Sequence, residues 1–245
     1  VELVFGLVGP IGCPIHQARD ILASTLKKMD YVPVSISLSA EMNRLLTAKG
    51  CKVDRTSESI LEEKILKGNA VRKAFARDGV LAAEAIRQVV EFRLQVATDN
   101  GVTDSDEQAK IPLDEHAFII DQLKRPEEVD LLVKAFGKRF IQVSVVTPLE
   151  KRKQSLVARL RNEQHGWDNS RCEVHATKLI STDQNERQDE HGQRISKIFH
   201  LGDVFFDGTS EETLEKSSQR FVKAFFGRNN IAPTRDEFGS YMAQA

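Results

Sequence analysis

The hydrophobic residues of this chain fall into short runs separated by longer stretches with helical periodicity. Each run is continuous rather than alternating, which is typical of strands covered on both faces of a sheet. The runs predict strands at residues 3–8, 31–38, 117–120, 140–146 and 203–206. The stretches between them predict helices that include 17–29, 57–76, 80–96, 125–136, 148–163 and 210–226. This alternation predicts an α/β fold with a doubly wound, mostly parallel sheet and helices on both faces.

Cap and turn residues mark several ends of these elements. Thr56 or Ser57 is the expected cap of the second helix, and Thr147 is the expected cap of a helix that starts at Pro148. Polar residues predict exposed loops at 98–110 and 164–171. We predict one domain at residues 1–227, a linker at 228–234, and the start of a second domain at 235–245. Because that last helix stops with the chain, we expect the chain to be a fragment of a longer protein.

Composition indicates a globular protein without a membrane span or a disulfide framework, but it does not indicate an activity. The chain is 40% hydrophobic and 29% charged, which is an ordinary globular composition. A formal net charge of −1 gives no general attraction to nucleic acid or to a membrane. No apolar run is long enough to span a bilayer. The 3 cysteines do not suggest a disulfide framework, so we expect a cytoplasmic protein.

The first apolar run leads into a glycine turn and then a helix, which is where a P-loop lies in a nucleotide kinase. A working P-loop has backbone N–H groups that cradle phosphates, a lysine for the β/γ-phosphates and a hydroxyl for Mg²⁺. Counted from Gly9, the lysine position falls on Ile15 and the hydroxyl position on His16. The segment therefore predicts a phosphate cradle without the usual chemistry, formed by Gly9, Pro10, Ile11, Gly12, Cys13, Pro14 and Ile15. A tight turn without a ligand is the alternative.

Two further segments supply candidate binding residues. Asp121 follows an apolar strand, where a Walker-B carboxylate would hold Mg²⁺, although aspartate is also common at strand ends for structural reasons. Arg159 and Arg161 belong to a basic helix that would close over a nucleotide as a lid, or would simply be a solvated face.

The spacing of cysteine and histidine residues does not predict a metal site. Only Cys172 and His175 approach the paired spacing that zinc sites prefer. Cys13 precedes a helix, which would lower the pKa of its thiol, but the sequence identifies no partner base for it. We therefore predict neither a metal centre nor a catalytic residue in this chain.

Five segments together resemble one family. They are ELVFGLVGPIGC at 2–13, AFIIDQLKRPEEV at 117–129, LISTDQNE at 179–186, GQRISKIFHLGDVFFD at 192–207 and NIAPTRDEFGSYMAQA at 230–245. In this order they resemble the N-terminal P-loop nucleotide-kinase-like domain of bacterial anti-phage deoxycytidylate deaminases, which act on dCTP and dCMP. The resemblance extends over nearly the whole chain. Because H-x-E and P-C-x-x-C are missing here, it implies that the zinc-binding deaminase domain lies beyond Ala245.

The resemblance implies a nucleotide-binding regulatory domain. Its ligand would be a deoxynucleotide, with Mg²⁺ as a candidate cofactor and zinc only in the absent deaminase domain. Asp183 and Glu186 would line the same cleft as the glycine turn, Asp121 and the lid arginines. The implied partners are the deaminase domain, further copies of the chain, and a regulatory RNA or protein.

Two other functions stay open. An active deoxynucleoside monophosphate kinase would need Lys124 or Lys151 to replace the missing lysine. A non-catalytic interaction module would have a vestigial cleft, and the near-neutral net charge argues mildly against RNA as its partner.

Overall fold

The computed structural model describes residues 1–53, 56–101, 110–184, 186 and 189–227. The predicted linker at 228–234 and the predicted start of a second domain at 235–245 lie outside the described residues. Most of the predicted loop at 98–110 also lies outside them, although its first two residues belong to a helix that ends at Asp99. In the part of the chain that the structure describes, no helix combines the length and apolarity that a membrane span needs.

A single sheet of five parallel strands organises the described residues, in the order β2-β3-β1-β4-β5. The central strand β1 pairs with both of its neighbours, so that Phe5 lies opposite Ile119 on one side and Ile141 on the other. The strands are β1 (Leu3–Val8), β2 (Val32–Ser37), β3 (His116–Leu123), β4 (Phe140–Val146) and β5 (Val204–Asp207). The predicted parallel α/β architecture is confirmed.

Eight α-helices are described, together with short 3₁₀ turns at Gly137–Arg139, Ile195–Lys197 and Phe199–Leu201. The helices are α1 (Ile15–Lys27), α2 (Leu38–Ala48), α3 (Ile60–Phe75), α4 (Val80–Asp99), α5 (Pro126–Phe136), α6 (Leu149–Glu163), α7 (Asn169–Gln184) and α8 (Glu211–Phe225). The α2 and α7 helices are additional to the predicted ones. The α7 helix begins inside the segment predicted as a loop at 164–171, because its polar first turn hides the apolar face that follows.

Alternating side chains of β1 divide the core between the two faces of the sheet. Val4 and Val8 pack in one cluster with residues of α2, α4 and α5. Leu3, Phe5 and Leu7 pack in a second cluster with residues of α1 and α8. Successive side chains of a strand point to opposite faces, so helices are needed on both. The sheet is therefore doubly wound, as predicted.

The prediction that every strand is covered on both faces is wrong at the edges of the sheet. The β1 and β4 strands are buried almost throughout, but β2 and β5 are edge strands with exposed positions. Val32 at one edge is 49% exposed and Phe205 at the other is 36% exposed. Each edge strand pairs with only one neighbour in this sheet, so its other side has no strand beside it and its residues are more exposed to solvent.

Two predicted helix starts also differ from the structure. The α3 helix begins at Ile60 behind Ser59, whose Oγ accepts a hydrogen bond from the N–H of Glu62 at 3.2 Å. This S-x-x-E spacing is the stronger capping signal, and it displaces Thr56 and Ser57 from that role. Pro148 occupies the cap position of α6 rather than its first helical position, because its backbone is extended, with ψ at 143°.

Candidate functional site

A cleft lies at the carboxyl ends of β1 and β3, which is where open parallel sheets bind ligands. It encloses a cavity of about 160 Å³. This volume is below the roughly 300–1,000 Å³ of typical small-molecule sites, so the space at hand is smaller than a whole nucleotide needs. Its apolar walls come from four different helices and the turn, through Ile11, Leu38, Met42, Leu61, Ile65, Leu81 and Leu156.

The glycine turn between β1 and α1 forms one wall of this cleft. Gly12 has a φ of 87°, and a Cβ there would lie 2.7 Å from the carbonyl oxygen of Arg152. Glycine at this position therefore permits both the turn and the close approach of α6. Ile11, Gly12 and Cys13 line the cavity, whereas four other predicted residues shape the turn without lining it, namely Gly9, Pro10, Pro14 and Ile15.

The two positions that define P-loop chemistry have other roles here. Ile15 is 1% exposed and packs in the core cluster under the sheet, where a lysine could not extend toward phosphate. His16 lines the cavity with a half-exposed ring, and its Nδ1 lies 3.3 Å from Oδ2 of Asp121. The glycine turn is thus followed by a core residue and an imidazole, and the N–H groups of Cys13 and Ile15 donate to carbonyl oxygens within the turn.

Asp121 lies within β3 rather than after it, since the strand continues to Leu123. Its carboxylate is buried, lines the cavity, and accepts a hydrogen bond from Nη1 of Arg19 at 3.0 Å. A guanidinium and an imidazole therefore surround the carboxylate that was predicted to hold Mg²⁺. These residues do not fit a magnesium site, because Mg²⁺ prefers free carboxylate, hydroxyl and water oxygens.

Asp183 occupies the centre of the turn. Its Oδ2 accepts a hydrogen bond from the N–H of Ile11 at 2.6 Å, and its Oδ1 accepts one from Nζ of Lys124 at 2.6 Å. The same ammonium donates to the carbonyl oxygen of Gly9 at 3.1 Å. Asp183 is 1% exposed, so this carboxylate is an internal anion held by the turn and a lysine. Asp183 was predicted to line the cleft, and its role as the bound anion was not foreseen.

The other predicted residues separate into two groups. Arg159 lines the cavity and pairs with Glu163 at 2.6 Å. Arg161 instead faces an outer groove that it shares with Glu173. Glu186 lies behind the cavity wall, where its Oε2 accepts a hydrogen bond from Nδ2 of Asn69 at 2.9 Å. The structure therefore brings Arg159 to the cleft but not Arg161 or Glu186.

Three residues of the cleft were missed as primary candidates. Lys124 was weighed only as a substitute lysine and is found at the turn, whereas its rival Lys151 is exposed on α6. Arg72 lines the cavity, is 1% exposed, and donates to Oε1 of Glu128 at 2.8 Å. Gln193 also lines the cavity with a buried side chain. Nothing in the local sequence distinguishes a buried arginine or glutamine from a solvated one.

The contacts of the cysteine and histidine candidates indicate structural roles for their side chains. Burial raises the pKa of the Cys13 thiol, against the lowering expected at a helix start. His175 is buried, with Nε2 2.9 Å from Oγ of Ser59. Among the described residues, the one cluster with metal-ligand spacing joins His175 to Glu58 and Glu62. Both glutamates already pair with cations, Arg171 and Lys178, so the cluster is accounted for without a metal.

No protein-family model and no curated protein matches this chain. Among solved structures, it is similar to a shikimate kinase from Bacteroides thetaiotaomicron, with 10% sequence identity, a TM-score of 0.44, and coverage of 92% of this chain and 98% of that chain. It is also similar to an uncharacterized protein from Eubacterium ventriosum, with 12% identity, a TM-score of 0.41, and coverage of 94% and 100%. Neither similarity assigns an activity.

Proposed function

We propose that this chain is a nucleotide-binding, kinase-like regulatory domain that recognises the phosphate of a deoxynucleotide without transferring it. The observation that supports this proposal is the anion at the glycine turn. The N–H of Ile11 and the ammonium of Lys124 hold the Asp183 carboxylate against the glycine turn, and a glycine turn is the segment with which a P-loop binds phosphate. Donors that hold a buried carboxylate are suited to bind phosphate oxygens, which accept the same charge-assisted hydrogen bonds.

Phosphoryl transfer is disfavoured by the groups around the turn. Transfer relies on a metal ion and a cation that neutralise charge as it develops on the phosphates. Ile15 is buried in the core, and Asp121 is engaged by Arg19. The cleft therefore has donors for binding but lacks the usual apparatus for turnover.

The sequence resemblance supports a place for this domain in an anti-phage deoxycytidylate deaminase. In that setting a separate zinc-binding domain would convert dCTP and dCMP to dUTP and dUMP and so deplete deoxynucleotides. The present chain would sense a deoxynucleotide and act on the linked deaminase domain, within a cytoplasmic homo-oligomer. None of the described residues is assigned to the deamination step.

One observation favours a second candidate, an active deoxynucleoside monophosphate kinase. Nζ of Lys124 lies 3.1 Å from the carbonyl oxygen of Gly9 and borders the cavity. A lysine placed at the turn from β3 would supply the cation that Ile15 does not. This candidate predicts that ADP forms from ATP and a deoxynucleoside monophosphate.

Thermal unfolding with dCTP, dCMP or ATP, with and without Mg²⁺, tests both candidates. A ligand at 100 times its Kd stabilises the folded state by about 2.7 kcal/mol, which raises Tm by roughly 5–10 °C for a domain of this size. We expect a deoxynucleotide to produce this shift and Lys124→Met to remove it. The matched control Lys151→Met changes an exposed lysine of α6 and should keep the shift. ADP formation that disappears in Lys124→Met supports the kinase, and the absence of any shift contradicts nucleotide binding.

A further inference from the structure

The α6 and α7 helices form a hairpin that covers the glycine turn. Leu156, Leu160, Cys172, Ala176 and Leu179 pack in an apolar cluster of this hairpin. The cluster is completed from outside by Ile11 of the turn and Ile65 of α3. The hairpin therefore has an apolar interior of its own and spans the cleft from one wall to the other.

Its polar contacts with the turn are few and charged. Asp183 accepts from the N–H of Ile11 and from Lys124, both at 2.6 Å. From the other helix, Nη1 of Arg152 lies 3.4 Å from the carbonyl oxygen of Ile11. Asp183 is thus the carboxylate that the hairpin contributes to the glycine turn, and it occupies the N–H of Ile11 and the ammonium of Lys124, which would otherwise be free to donate to a phosphate.

Buried polar atoms around the cleft are left without partners in this closed conformation. Among the described residues, these atoms include Nε of Arg72, Nε of Arg152 and Oε1 of Gln193. Arg72 and Gln193 line the cavity, and all three side chains are more than nine-tenths buried. Buried polar groups are nearly always hydrogen-bonded in folded proteins, so these unpaired atoms show that the closed arrangement of the hairpin and the cleft walls leaves some polar groups unsatisfied.

The cavity is too small to contain a whole nucleotide. Its volume of about 160 Å³ is close to the roughly 150 Å³ that holds a single benzene ring in an apolar protein cavity. A whole nucleotide is therefore contained in this space only if one wall moves. The α6–α7 hairpin is the wall that contributes the Asp183 carboxylate to the glycine turn.

We propose that Asp183 is an internal competitor for phosphate, and that the α6–α7 hairpin is a lid which this carboxylate holds closed. This inference rests on the proposed nucleotide-binding function and adds a gate to it. A phosphomonoester or pyrophosphate group displaces Asp183 from the N–H of Ile11 and from Lys124, and the hairpin moves away. Because the bound state is the open one, the free energy needed to release Asp183 and open the hairpin lowers the apparent affinity for the ligand by the fraction of molecules that are open without it.

Titration calorimetry of the 245-residue chain with inorganic pyrophosphate and with dCMP tests the competition. Asp183→Ala removes the competing carboxylate, so we expect it to bind each probe at least tenfold more tightly than the unmodified chain. Asp130→Ala removes the same charge from an exposed position on α5 and should stay within twofold. Unchanged or weaker binding by Asp183→Ala, while the unmodified chain binds, overturns the gate and leaves the proposed function in place.

If neither the unmodified chain nor Asp183→Ala binds either probe, both proposals fail. Hydrogen exchange of the unmodified chain provides a measurement that does not depend on the folding of a variant. Saturating pyrophosphate should accelerate amide exchange in α7, because the lid has opened, while amides of β1 and β4 stay protected. Unaltered exchange in α7 with pyrophosphate bound would also overturn the gate.

Discussion

Two buried carboxylates at opposite ends of the sheet have similar surroundings and different consequences. Glu2, at the amino end of β1, accepts hydrogen bonds from Arg93 and from the N–H of Leu113, and Arg139 lies 3.4 Å away. Asp183, at the carboxyl end, accepts from Ile11 and Lys124. The two side chains are 0% and 1% exposed.

The cavity distinguishes these two anions. Asp183 and both of its partners border it, whereas neither Glu2 nor its partners do. Burial and hydrogen bonding alone therefore do not separate a structural ion pair from a binding site. A structural pair has no space beside it for a replacement ligand, and a site does. The comparison predicts that Glu2 contributes to stability and Asp183 to recognition.

The largest effect is expected for Glu2→Gln. This change removes the charge of Glu2 from its buried pair with Arg93, and removing one partner of a buried pair costs about 3–5 kcal/mol. Urea denaturation of the variant should show a free energy of unfolding reduced by that amount. Phosphate or nucleotide affinity, measured where the variant is still folded, should not change. A loss below about 1 kcal/mol would contradict the structural role.

Asp183→Asn should cost less, about 1.5–3 kcal/mol, which is the usual contribution of a hydrogen bond to a charged group. Lys124 keeps the carbonyl oxygen of Gly9 as a partner and borders the cavity, where water can reach it. Urea denaturation of this variant beside Glu2→Gln tests the order of the two effects. A greater loss for Asp183→Asn would reverse the comparison and make Asp183 the structural anion.

The sequence predicts much of the fold because its signals there are local. Continuous apolar runs predict β1 and β4 with the residue bounds that the structure has. The glycine turn also lies where its sequence places it, between β1 and α1. The α7 helix was not predicted, because its first turn, beginning at Asn169, is as polar as a loop. Its apolar residues come later and pack in the cluster of the hairpin.

The candidate site is less predictable because its contacts are long-range. Ile11 and Asp183 are 172 positions apart in the chain. A resemblance placed Asp183 near the turn, but no local pattern indicates that its carboxylate would occupy the cradle. Likewise, a count from Gly9 assigns the lysine position to Ile15, whereas the lysine at the turn comes from β3's end as Lys124. The contacts of Asp183 and Lys124 with the turn form only in the folded chain, because the fold brings distant segments together.

Gly12→Ala tests the contact between the lid and the turn. The substitution imposes a left-handed conformation on alanine and places its Cβ 2.7 Å from the carbonyl oxygen of Arg152. Gly50→Ala is a matched control, since Gly50 has a φ of 64° and nothing within 4 Å of an added Cβ. We expect Gly50→Ala to lose about 1 kcal/mol and Gly12→Ala about 2 kcal/mol by urea denaturation. Equal losses would show that α6 does not press on the turn.

The smallest effect is expected from the protonation of His175, which lies on α7 with Asp183. Burial is the main cause that lowers the pKa of this imidazole from 6.5, and the cations Lys178 and Arg171 act in the same direction. Glu58 and Glu62 oppose the shift. Below pH 6.5 the imidazole takes up a proton in the unfolded chain but not in the folded chain. The free energy of unfolding therefore decreases as the pH is lowered from 6.5 to the pKa of the folded state.

Urea denaturation at pH 7.5 and 5.5 measures this effect. The unmodified chain should lose more stability over that interval than His175→Gln, which keeps a hydrogen-bonding group for Ser59. His200→Gln removes an exposed histidine and should retain the unmodified pH dependence. Between pH 7.5 and 5.5, protection of amides from exchange, corrected for the slower intrinsic exchange at the lower pH, should fall in α7 but not in α4, which bears Arg93 of the Glu2 ion pair. An equal loss of protection in both helices would mean that the carboxyl end of the sheet opens no more readily than the amino end, against the assignment of Asp183 to a movable lid.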